Sequence, residues 1–132
     1  TRSDEYGGSF ENRSRFMIEI AAAVRGVIPE SMPLFVRISA TDWLDGGWTL
    51  QDSVELAKIL KTSGVDLIDV SSGGTSSGAP VPVGPGYQVP LASEIKKSAQ
   101  IPTSAVGLIT TAQQAEEIVA SGKIPTISPA RK

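Results

Sequence analysis

The sequence predicts an α/β fold built on a parallel sheet, and two observations carry that expectation. Short apolar segments at 34–39, 65–70, 101–109 and 126–128 alternate with helical stretches of about three turns. The pairs Gly64-Val65 and Gly122-Lys123 repeat one unit, in which a helix ends on Gly and a strand follows. The order is helix, then strand–helix three times, then a strand. Two architectures fit it: a small open sheet, or about four strands of a (β/α)8 TIM barrel. A whole barrel normally takes about 250 residues, so 132 residues would make half of one.

Each element has a local cause. Gly7-Gly8 breaks a polar opening, and Ser9 is placed to cap a helix whose apolar face is Phe16, Ile20, Ala23, Val24 and Val27, ending before Pro29. Leu34-Phe35-Val36-Arg37-Ile38-Ser39 then reads as a short buried strand with one cation inside it. After a loop over 42–47, Thr49 and Asp52 have capping-box spacing; Val54, Ala57, Ile59 and Leu60 form the face of the next helix, which Gly64 stops. The second strand, 65–70, opens into Ser71-Ser72-Gly73-Gly74 and a long loop of Gly, Ser and Pro up to Gly86. Pro90 starts a third helix running to about Ala99, and the third strand covers 101–109. Thr111 with Gln114 repeats the capping-box spacing; Ala115, Ile118 and Val119 make that helix's face, and Thr126-Ile127-Ser128 begins the last strand.

Composition narrows the chemistry. With 40 % apolar residues the chain can bury one core, and a net charge of −2 with interspersed signs offers no footprint for nucleic acid. No apolar run has the length of a membrane span and no signal peptide opens the chain, so the cytoplasm is the expected location. Cys and His are both absent, which removes thiolate chemistry and the commonest general base and metal ligand. Arg37 then stands out. A guanidinium cannot lose its proton, so burying it unpaired costs several kcal/mol or more. Either a carboxylate of the protein pairs with it, or the strand delivers it to an electron-rich ligand.

In both architectures ligands bind beyond the carboxyl ends of the strands. That rim collects Arg37, Ser39, Ser71 to Gly74, Gly107 and Ala130-Arg131, a set suited to a planar, phosphorylated ligand. The Gly-rich run at 73–78 is no P-loop, because prolines follow it instead of Lys-Ser/Thr and a helix; a plain loop is its simplest reading. Asp66 and Asp69 bracket a strand and read as local caps or ion-pair partners. Trp43 and Trp48 read as packing residues, Tyr87 as a loop anchor.

Longer motifs carry a resemblance. Arg2-Ser3-Asp4-Glu5-Tyr6-Gly7-Gly8-Ser9, with Glu11-Asn12-Arg13 and Arg15-Phe16, resembles the loop-and-helix signature of the Old Yellow Enzyme family of flavin-dependent ene-reductases. Phe35-Val36-Arg37-Ile38-Ser39, Asp66-Leu67-Ile68-Asp69-Val70-Ser71-Ser72-Gly73, Pro85-Gly86-Tyr87-Gln88-Val89-Pro90 and Ala105-Val106-Gly107-Leu108-Ile109 continue it in order, nearest to the bacterial thermophilic-type and fungal branch. The resemblance implies one domain over 1–132, the second half of a TIM barrel, with FMN as cofactor and NAD(P)H as hydride donor to the activated C=C bond of small enone-type substrates. It implies that Arg37 lies beside the flavin N1/C2 carbonyl edge, that Gly107 lies near the flavin phosphate, and that Ala130-Arg131 aligns with the Gly-Arg pair gripping it. It also implies that the His-His or His-Asn pair holding the substrate carbonyl and the proton-donating Tyr precede this stretch, leaving no catalytic residue and no metal ligand in it. Ala130 stands where the family has Gly, and Pro125 and Pro129 stand where it has none. A homo-oligomer or a complementary half-barrel is the expected partner; the alternative reading is an inactive half-barrel or interaction module without flavin.

Overall fold

A computed structural model describes residues 2–74 and 76–127. Four parallel strands, β1 (Phe35–Ser39), β2 (Leu67–Ser71), β3 (Thr103–Ala105) and β4 (Thr126–Ile127), lie in the order β1-β2-β3-β4. Between them run α1 (Phe10–Arg25), α2 (Leu50–Thr62), α3 (Val89–Ala99) and α4 (Ala112–Ala120). This is the parallel α/β sheet that the alternation predicts, with the strand order of the part-barrel that the resemblance implies. Strand β3 is shorter than expected, because Gly107 and Leu108 both take positive φ (112° and 51°) and turn the chain out of the sheet. Strand β2 starts two residues later than expected, since Asp66 serves as a cap: its Oδ2 accepts from the Leu34 backbone N–H at 2.8 Å.

Two of the three expected caps form as their spacing predicts. Ser9 accepts from the Asn12 N–H, and Thr49 and Asp52 close a full capping box. Thr111 caps α4, but the Gln114 side chain accepts from the Thr110 N–H, one residue upstream of a true box. Thr49→Ala, which removes an oxygen that accepts from the Asp52 N–H, is expected to lower unfolding free energy by about 1 kcal/mol. Urea unfolding of the two proteins measures it, and an unchanged midpoint would show that the cap contributes nothing.

The core lies on one side of the sheet. Val36 and Ile38 of β1, Ile68 and Val70 of β2, and Ala105 of β3 face α2 and α3, whose Val54, Leu56, Ala57, Leu60, Ala92 and Ile95 are also buried. The alternate residues Phe35, Arg37 and Ser39 are exposed, and Leu67, Asp69 and Ser71 half-buried. Helices cover one face; the other is open. For α1 the expected apolar face is corrected: Phe16, Ile20, Ala23 and Val27 are exposed. Ser14 and Ala21 are buried instead, with Phe10, Met17 and Ile18 packed against the core. Both stripes are helically spaced, and Ser14 is tolerated inside because its hydroxyl donates to the Phe10 carbonyl at 2.8 Å.

Candidate functional site

Strands β1 and β2 pair in register. Arg37 is opposite Asp69, and Asp69 is opposite Ser104, which is opposite Thr126, so one polar row crosses the open face of all four strands. Arg37 Nη1 lies 3.1 Å from Asp69 Oδ2, with the Arg37 side chain 56 % exposed and that of Asp69 20 %. The expectation of a buried guanidinium is therefore corrected. Strand alternation turns Arg37 to the uncovered face, and the carboxylate partner that the plainer reading asked for is present. Asp69 Oδ1, however, is buried with no hydrogen-bond donor among the described residues, a costly state for a carboxylate oxygen. Beside this pair is a cavity of about 320 Å³ lined by Phe35, Arg37, Leu67, Asp69, Ser104 and Thr126. Phe35 and Leu67 make its apolar part, and Arg37 and Asp69 its ionic edge.

The carboxyl ends of β2 and β3 are tied together by a residue that sequence reasoning missed. Gln88 is 2 % exposed and sits at the N-cap of α3 without capping it. Its Oε1 accepts instead from Ser72 Oγ at 2.8 Å. Its other face meets Gly107: a Cβ there would lie 2.8 Å from Gln88 Nε2 and 2.9 Å from Tyr87 Cε1. The Gly107 carbonyl also accepts from the Gly86 N–H at 2.8 Å. So Gly107 stands at the rim, but internal packing by Tyr87 and Gln88 already accounts for its missing side chain. Tyr87 is the anchor that its loop context predicts.

The remaining candidates resolve into structure. Asp42 Oδ2 accepts from the Trp48 N–H at 2.8 Å and closes its own loop. Trp48 stacks on Phe10, lies under Arg13, and donates from Nε1 to Ser53 Oγ at 2.6 Å. Trp43, at φ 59°, keeps a buried indole N–H without a partner among the described residues. Among the described residues no group of three metal-ligating side chains occurs, and no helix is long and apolar enough to cross a membrane. Ala130 and Arg131, expected at the phosphate, lie outside the described residues, as does Pro129. A larger cavity, about 560 Å³, opens at the opposite end among Ser93, Lys96, Lys97, Gln100 and Lys123. There Lys96 Nζ donates to the Gly122 carbonyl at 2.7 Å. Lys96 and Lys97, in the last turn of α3, offset the carbonyl end of that helix.

Comparison with known proteins gives a consistent result. The sequence model of the NADH:flavin oxidoreductase / NADH oxidase family matches residues 1–132. The chain is 54 % identical to an NADPH dehydrogenase of a Geobacillus species over 131 residues, 99 % of this chain and 38 % of that protein. It is 47 % identical to an NADH:flavin oxidoreductase of Gibberella zeae over 135 residues, 92 % of this chain and 33 % of that one. Among solved structures it superposes on 2-naphthoyl-CoA reductase, in complex with 2-naphthoyl-CoA, with a TM-score of 0.86 at 33 % identity, covering 99 % of this chain and 21 % of that one. The chain thus spans about a third of the length of the curated relatives it matches.

Proposed function

We propose, since this chain belongs to the NADH:flavin oxidoreductase / NADH oxidase family, that it is one part-barrel domain contributing to an FMN site that serves NAD(P)H-dependent reduction of activated C=C bonds in small enone-type molecules. The observation that carries this reading is Arg37: a guanidinium presented on the open barrel face, more than half exposed, lining a cavity together with the apolar side chains of Phe35 and Leu67. Those residues fit a flat aromatic ring with one polar edge. FMN, when bound, supplies the hydride relay between NAD(P)H and the electron-poor carbon of the substrate. Arg37 would hold the N1/C2 carbonyl edge of the ring and offset negative charge there. Phe35 and Leu67 would exclude water from the ring, while Gly107, Ala130 and Arg131 would hold its phosphate. With no His in the chain, the substrate carbonyl would be held by groups other than imidazoles of this chain. The catalytic proton donor is likewise assigned to none of its residues.

The partner reading is supported by a separate observation. Strands β1 and β4 are both edges of the sheet, and beside β1 the α1 stripe of Phe16, Ile20, Ala23 and Val27 is uncovered. Further βα units, from a complementary half-barrel or another copy, would cover that stripe and pair with β1. The cytoplasm, where NAD(P)H is made available, is the proposed location. An absorbance spectrum tests the main reading. With FMN added, the protein is expected to carry a yellow flavin band after desalting, and NADPH is expected to bleach it if reduction is complete within this chain. A protein that stays colourless after FMN addition would overturn the reading.

A further inference from the structure

We infer that Asp69 is the positioning residue for Arg37 and sets the net charge that a flavin meets at the open face. The inference deepens the FMN reading above and rests on it. Among the described residues, Arg37 and Asp69 are the only charged side chains in the four strands. They lie opposite each other in register with 3.1 Å between Nη1 and Oδ2, so the face is close to neutral overall. A carboxylate placed only to strengthen the fold would have both oxygens satisfied. Asp69 uses one oxygen on Arg37 and leaves the other buried and without a donor among the described residues, at a desolvation cost that a half-exposed ion pair repays poorly. What Asp69 does achieve is to pin a flexible guanidinium and to dilute its charge.

That dilution has a redox consequence. Two-electron reduction adds negative charge at the edge that Arg37 would face, so an undiluted guanidinium favours the reduced form over the oxidised one. Asp69 works in the opposite direction and keeps the bound flavin a better hydride donor. The effect is charge-specific. Asp69→Asn keeps the shape and removes the charge; Asp69→Glu keeps the charge.

The test is a titration of the 132-residue chain with oxidised FMN and, anaerobically, with dithionite-reduced FMN. Dissociation constants and melting temperature are measured for wild type, Asp69→Asn and Asp69→Glu. Asp69→Asn is expected to raise affinity for reduced relative to oxidised FMN by about tenfold, a midpoint about 30 mV more positive for a two-electron couple. Asp69→Glu is expected to keep the wild-type ratio. A ratio unchanged in Asp69→Asn, in wild-type-like folded protein, would overturn the inference alone; a ratio that moves equally in both variants would do the same. Failure of the wild-type chain to bind FMN in either state would overturn the proposed function, and this inference with it. The wild-type arm therefore tells the two failures apart.

Discussion

Ile68→Ala is expected to lower the unfolding free energy by about 2–5 kcal/mol. Ile68 is 0 % exposed and sits on β2, which pairs with β1 on one side and β3 on the other. Its side chain points to the covered face, so the truncation leaves a cavity beneath α2 and α3 that rigid neighbours cannot fill. Total stabilities of about 5–15 kcal/mol are usual, so much of the margin would go. Phe35→Ala removes a larger side chain from the same sheet, but that ring is 61 % exposed on the open face, and its cost is expected to stay under about 1 kcal/mol. Urea melts of both variants measure the contrast. Equal losses would show that the supposedly open face is covered in solution.

Arg37→Ala is expected to weaken FMN binding by about 10–100-fold, the range for losing a charged hydrogen-bonding partner. Its effect on the melt is expected to be small, because a pair whose arginine is 56 % exposed contributes only about 0–1 kcal/mol. Flavin fluorescence quenching gives the affinity, and thermal unfolding gives the stability. Unchanged affinity with lowered stability would make Arg37 a structural ion-pair partner and remove it from the cofactor site.

Which parts of this molecule can be read from its residues follows from the range of the interactions involved. Caps are local. Thr49 and Asp52 lie three residues apart, and that spacing alone predicts the bonds observed. The order of strands is nearly as local, because parallel strands joined by one helix each leave few alternatives. The face of α1 is a tertiary matter. Phe16, Ile20, Ala23 and Val27 are spaced as regularly as Phe10, Ser14, Met17, Ile18 and Ala21, and only the neighbours decide which row turns inward. The outer row is at least as apolar as the inner one, so hydrophobicity along the helix points to the wrong face.

The site divides along the same line. Arg37 stands out as a cation in an apolar run, whereas Asp69 becomes its partner only once β1 and β2 pair without offset. In the bounds read from sequence, 34–39 and 65–70, Arg37 is fourth and Asp69 fifth, so spacing alone does not pair them; each is third only in the observed strands. Gln88 gave no clue either: a lone amide before Val89-Pro90 looks like a loop residue until Ser72 and Gly107 are found on either side of it.

The sheet's two margins are unequal, and this gives any self-association a direction. On one side β1 presents five residues of free backbone; on the other, β4 follows Pro125, which has no N–H to offer. Two copies joined front to back along this sheet would use unlike surfaces, so the contact would lack a two-fold axis. Such head-to-tail growth either closes into a ring after a whole number of copies or continues as a fibre. The curvature of a single four-stranded unit decides which.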